Sequence, residues 1–164
     1  MPRSKLMRLI LIAGSVLILI GVSLMTWMLA TEEERNNIKV ELDGGETEVL
    51  EFEALRLVPG SQCEYTITLK NGNTDQYNLT LDFKETEEKT LKKYARVKIL
   101  SEEAEVYDEL LETAFENEGI VLPVDFKQDL NTVLKIVYYL PIEIGNEAKN
   151  AEALFDLVLT ASNE

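Results

Sequence analysis

The pattern of apolar and polar positions changes character once along this chain. From Leu9 to Thr31 (LILIAGSVLILIGVSLMTWMLAT) 23 consecutive residues carry no charge. Wound as a helix, that run is roughly 34 Å long at about 1.5 Å per residue. It is long enough to cross a hydrocarbon core of about 30 Å, and a helix satisfies its own backbone in lipid. Arg3, Lys5 and Arg8 precede it, and Glu32, Glu33 and Glu34 follow it. Basic flanks stay on the cytoplasmic side, so the sequence predicts residues 1–8 inside, a span over 9–31 and the remainder outside. Trp27 falls near the outer end, where an indole favours the membrane interface. A long cleavable export signal is the alternative, but such signals have apolar cores of about 7–15 residues and a small-x-small cut site. Met28 stands two positions before Ala30, where a small residue is wanted.

After a charged tether over 32–37, the period shortens to two, as in half-buried strands. Ile38, Val40 and Leu42 alternate with polar residues, and Asp43-Gly44-Gly45 signals a turn. A second strand is expected over 49–57, with Leu50, Phe52, Ala54 and Arg56 on one face. Pro59-Gly60 marks a turn. Residues 62–70 then show the clearest alternation in the chain: Cys63, Tyr65, Ile67 and Leu69 face one way. Asn71-Gly72-Asn73 is a turn signal, and 77–83 returns with Tyr77, Leu79, Leu81 and Phe83 on one face. The two strands around that turn read as a local pair.

Residues 85–93 suit a helical turn or a solvated connection, and 95–100 another strand with Val97 and Ile99 inward. Over 101–118 the spacing of Tyr107, Leu110, Leu111 and Ala114 predicts a helix, capped by Ser101 or Asp108 and ended by Gly119. Its other face is acidic: Glu102, Glu103, Glu105, Asp108, Glu109 and Glu112. A solvated face explains that better than a metal or catalytic site. Pro123 makes 120–126 an edge strand or extended loop. Residues 132–140 are apolar on both faces, which predicts a central strand ended by Pro141. A loop at Gly145-Asn146 leads to the last strand, 152–161. About eight strands and one helix predict a mainly β fold, a β-sandwich with one inserted helix, over 38–164.

Charge and composition narrow the chemistry. The formal net charge is −14. All 30 acidic residues lie after Thr31 and three of the 16 basic ones before it, so residues 32–164 carry −17. Such a field repels nucleic acid. The chain contains no histidine, which removes Ser-His-Asp triads and histidine zinc sites. Cys63 is the single cysteine, expected in the core or at its edge, so no intrachain disulfide forms. No cofactor motif is present.

Three stretches carry a family likeness: LRLVPGSQCEYTITLKNGNTDQYNLTL, VKILSEEAEVYDELLETAF and VYYLPIEIGNEAKNAEALFDLVLTASNE. Their order over residues 50–164 resembles the TasA/camelysin family of bacterial surface and biofilm-matrix proteins. Pro59, Gly60, Asn71, Gly72, Pro141, Gly145 and Asn146 are the family-like turn residues. The resemblance implies a jelly-roll type of sandwich, export, and a role in extracellular fibres or surface layers. It also implies assembly by passing an N-terminal strand between subunits, for which Ile38, Val40 and Leu42 are the candidates. Camelysin is classed as a metalloendopeptidase, an activity this histidine-free chain gives no residues for. The expected function is therefore that of a non-enzymatic, membrane-anchored surface protein contributing to an extracellular matrix, fibre or envelope assembly, by self-association or with another surface protein. An accessory ectodomain that binds another envelope protein is the alternative, and a camelysin-like metallopeptidase is disfavoured.

Overall fold

The computed structural model describes Ile20, Val22 and residues 36–42, 46–71, 77–126 and 131–162. The chain divides into two units, Met1–Asn36 and Asn37–Glu164. In the first, Ile20, Val22 and Asn36 are helical. The remainder of the expected span, with Arg3, Lys5, Arg8 and Trp27, lies outside the described residues. Among the described residues no helix is long and apolar enough to cross a membrane.

The second unit is mainly β. Its described strands are β1 (Asn37–Leu42), β2 (Thr47–Glu51), β3 (Gln62–Asn71), β4 (Tyr77–Glu87), β5 (Arg96–Ser101), β6 (Ala104–Leu110), β7 (Ile120–Phe126), β8 (Asn131–Tyr139) and β9 (Leu154–Ser162). A six-residue helix, α1 (Leu111–Glu116), follows β6, and 3-10 turns occupy Leu91–Lys93 and Ile142–Ala148. One sheet has the order β1-β3-β8-β5-β6, the other β2-β9-β4-β7. Inward residues of both sheets are buried in one cluster that includes Ile67, Leu69, Leu79, Leu81, Ile99, Leu134, Ile136 and Leu157. Two sheets sharing a core make a β-sandwich.

Several expectations change in physical terms. Residues 62–71 and 77–87 are strands, but β3 pairs with β1 and β8, whereas β4 pairs with β7 and β9. The local pair expected around Asn71-Gly72 does not form. Five residues, 72–76, separate these strands, more than a two-residue hairpin needs. Each strand also buries apolar residues in the core the two sheets share, Ile67 and Leu69 on β3 and Leu79, Leu81 and Phe83 on β4. Gly72 lies outside the described residues.

The expected helix over 101–118 is half strand. Ala104–Leu110 pairs antiparallel with β5, with a register shift between Ile99 and Leu100. Only Leu111–Glu116 is helical; Leu110 takes its N-cap position and Asn117 its C-cap, neither Ser101 nor Asp108. Leu111 and Ala114 are buried as the helical spacing requires. Gly119 follows at φ +89°, and a Cβ there would meet Thr80 Cγ2 at 2.6 Å, so the close approach to β4 needs glycine. The strand expected over 49–57 stops at Glu51, and the burial shifts phase: Leu55 and Leu57 turn inward instead of Ala54 and Arg56. β4 runs on to Glu87, taking in the first third of the 85–93 region expected to be a helical turn or connection. The central position of β8, between β3 and β5, agrees with its two apolar faces, as does the edge position of β7 with Pro123.

Phe155 sits at the centre of the core. Its ring lies 5.4 Å from Tyr138, 6.0 Å from Phe52, 6.1 Å from Phe83 and 5.6 Å from Phe115. Tyr138 is fully buried, and its hydroxyl has no hydrogen-bond partner among the described residues. Burial pushes its pKa well above the ordinary tyrosine value. An unsatisfied buried hydroxyl costs about 1–3 kcal/mol. Tyr138→Phe keeps the ring and removes that cost. Thermal unfolding should show the variant more stable by about 1 kcal/mol, roughly 3 °C. A lower midpoint would mean that the hydroxyl is satisfied in solution.

Candidate functional site: the β1 edge and the turns

β1 forms one edge of its sheet and runs parallel to β3. Its register sets Ile38 against Ile67, Val40 against Leu69 and Leu42 against Asn71. Alternation then sorts the strand: Asn37, Lys39 and Glu41 are exposed, Ile38 is half-buried, and Val40 and Leu42 are 7% and 1% exposed. Burying a valine or leucine contributes about 1.5–3 kcal/mol. The Glu41–Lys70 ion pair, at 3.0 Å, is more than half exposed on both sides and adds little. The strand is therefore held by a ladder of backbone hydrogen bonds and by three side chains. The structure brings the candidate residues Ile38, Val40 and Leu42 to one inward row.

Two of the other sheet edges are guarded differently. β7 contains Pro123, which has no N–H to offer, and its register shifts between Tyr77 and Leu79 of β4. β2 is five residues long and, like β1, carries two exposed charges and has neither proline nor register shift. β6 carries the register shift against β5. β1 has neither proline nor shift over its six paired residues.

Most of the described turn residues gather at the other end of β3. Pro59 and Gly60 form the middle of a turn closed by Ser61 N–H donating to Val58 O at 2.9 Å. Gly60, at φ +81°, supplies the conformation that position demands. Its N–H donates to Leu140 O at 2.8 Å, and Leu140 N–H donates to Ser61 O at 3.1 Å. The Pro59-Gly60 turn and the Leu140-Pro141 corner are thus one bonded unit. Pro141 opens the 3-10 segment that contains Gly145 (φ +60°) and Asn146, whose carbonyl accepts from Lys149 N–H at 3.1 Å. Asn71, the last residue of β3, is buried at the opposite end.

Residues that the sequence reading set on an acidic helix face instead enter a paired network on the outer face of the β1-containing sheet. Register aligns Lys98 with Asp108 on one side and Val137 on the other. Tyr139 Oη donates to Asp108 Oδ1 at 2.8 Å, and Arg96 Nε donates to the same carboxylate at 3.1 Å. Lys98 bridges Glu105 at 2.9 Å and Asp108 at 3.4 Å, and Lys135 bridges Glu64 at 2.9 Å. These long side chains flank Val137, which is buried although it faces outward. No sequence period announces such a network, because its partners come from four strands. Among the described residues no three His, Cys, Asp or Glu side chains form a group that could hold a metal. Cys63 is half-buried and free.

Burial alone would raise the pKa of Asp108, but hydrogen bonds from Tyr139 and Arg96 outweigh it and hold the carboxyl below its usual range. A depressed carboxyl stabilises the fold above its unfolded pKa of about 4 and loses that contribution as pH falls through the folded value. Asp108→Asn should therefore lower stability by about 1–2 kcal/mol at pH 7. The gap to the parent should close as pH drops below about 4. Denaturant unfolding from pH 7 to pH 2.5 checks this; a gap that stays constant would show that the charge contributes nothing.

No family model matches the chain, and no curated protein matches it. Among solved structures it is similar to the CUB1-EGF-CUB2 domains of rat MASP-1, at 17% identity and a TM-score of 0.39, over 75% of this chain and 42% of that one. This chain spans less than half the length of that one, and a likeness this slight carries no functional argument.

Proposed function

We propose that residues 38–164 are a non-enzymatic structural module of the TasA/camelysin type, contributing to an extracellular matrix, fibre or envelope assembly. In this reading the sandwich is of jelly-roll type. The apolar segment 9–31 holds it to the cell membrane as a single span with the domain outside, or releases it to the surface if cut. The observation that carries the reading is β1: a short N-terminal edge strand, without proline or register shift, seated in a groove by Ile38, Val40 and Leu42. Such a strand can fill its own groove or that of a second copy. A membrane-anchored accessory ectodomain for another envelope protein is the second reading. The outer face of the same sheet, where Val133 is exposed, favours it.

Two experiments test the proposal. Protease added to intact spheroplasts should digest the domain, and full protection would refute the topology. Residues 32–164 should be monomeric at neutral pH and low salt, where the −17 charge opposes association. Salt, or acid down to pH 4, should promote regular fibres seen by electron microscopy. A version starting at Asp43 should form none, and a peptide of residues 36–42 should block fibres of the longer form. Equal fibre formation by both forms would rule out exchange of β1. If neither assembles, the accessory reading takes its place.

A further inference from the structure

We propose that a depression beside the β5–β6 turn is a docking site for a lysine or arginine side chain of another polypeptide. It lies on the outer face of the five-stranded sheet, at the end away from the Pro59-Gly60 turn. Its volume is about 530 Å³, and its lining is Leu100, Glu102, Glu103, Asn131, Val133 and Lys135. The proposal does not rest on exchange of β1.

The floor is apolar and open. Leu100 and Lys135 are cross-strand neighbours, and Val133, two residues before Lys135 on the same face, is 40% exposed. The rim is acidic, and its backbone is unusual. Ser101 pairs with Ala104, so Glu102-Glu103 is a two-residue hairpin loop. Both residues have positive φ, 49° and 70°. That geometry favours Asn-Gly, and glutamate is a poor choice for it. Glu102 N–H donates to Val133 O at 3.4 Å, which ties the turn to the start of β8. The chain thus accepts a strained turn that places two glutamates at the rim of an apolar depression.

Charge selects the occupant. Lys135 on the wall bridges Glu64 at 2.9 Å, so its charge is already answered. Glu103 also acts on that ammonium, and Glu102 lines the same depression, so two glutamates remain there against a lysine already paired, and the depression is negative. An anion is repelled, and a neutral apolar group leaves the carboxylates unused. A side chain with a cationic head and an aliphatic stem uses both features: the stem on Leu100 and Val133, the head at Glu102 and Glu103. The edge strand β6 begins at this turn, so the backbone that bears the side chain can lie along it. The acidic domain steers basic partners toward such a site.

The test uses the full-length chain in zwitterionic micelles, with ¹³C-labelled leucine and valine methyl groups, titrated at pH 6 with acetyl-pentalysine amide. The Leu100 and Val133 methyl signals should shift and saturate. E102Q/E103Q should weaken binding about tenfold or more, whereas E143Q/E147Q, an equal change of charge elsewhere, should alter it by less than about twofold. E102N/E103G should abolish binding while raising the unfolding midpoint, because it relieves the turn. Equal weakening by the two glutamine pairs would show diffuse attraction and overturn the proposal. So would binding that leaves Leu100 and Val133 unmoved, or that survives E102N/E103G. Spermidine that shifts the same methyl signals and binds more tightly than pentalysine would assign the site to a free polyamine, against the proposal.

Discussion

The packing of Phe155 against four other rings is the contact on which the domain depends. Phe155 lies on β9, between β2 and β4 in one sheet, and its partner Tyr138 lies on β8, the middle strand of the other. Phe52 reaches it from the segment after β2, Phe83 from β4 and Phe115 from α1. One side chain therefore joins both sheets, the helix and an irregular segment. Aromatic contacts of this kind contribute about 0.5–1.5 kcal/mol each beyond their buried area. They also join distant parts of the sequence, so loop closure must be met before the core rewards it.

Elements outside that cluster are held by weaker means. β1 contributes no ring to it; its inward residues meet Ile67 and Leu69 instead. β6 is tied to β5 through its outer row, where Asp108 and Glu105 pair with Arg96 and Lys98. A gradient from an aromatic centre to polar or aliphatic edges is what a module needs if its edges are to meet other chains while its core stays shut.

The sequence is most legible where one face is wholly buried. Leu79, Leu81 and Phe83, or Leu134, Ile136 and Tyr138, recur at a strict period of two because a slip would expose them all. It misleads where burial is partial. Val106 to Leu110 carry no clean alternation, since β6 is an edge strand and its register shifts near Leu100. Their helical spacing belongs to Leu111 and Ala114, one short turn further on. The pairing of β3 is invisible locally for another reason. Asn71-Gly72 signals a turn, but only the core on both sides decides that the chain crosses between sheets there. Likewise, the Arg96–Asp108–Tyr139 network joins three strands, and no spacing within one strand encodes it. The turn residues Pro59 and Gly60 were readable because their backbone conformations are local demands. Their bond to Leu140 was not.

Exchange of β1 between copies would remake the same contacts that it breaks: one ladder, one Val40 and one Leu42 per acceptor groove. The contacts therefore cannot decide between a closed monomer and an assembly. Two other terms do. A strand joined to its own domain by a short connection acts at an effective concentration of about millimolar, which favours closure in dilute solution. Repulsion between copies carrying −17 adds to that preference until ions screen it. Were residues 9–31 to hold the chain at a membrane, as proposed, confinement would act the other way, raising the local concentration of neighbours without changing any contact. Such an anchor would limit the reach of β1 and also supply the crowding that makes exchange competitive. Release from it would restore the closed form unless salt or acid had first lowered the repulsion.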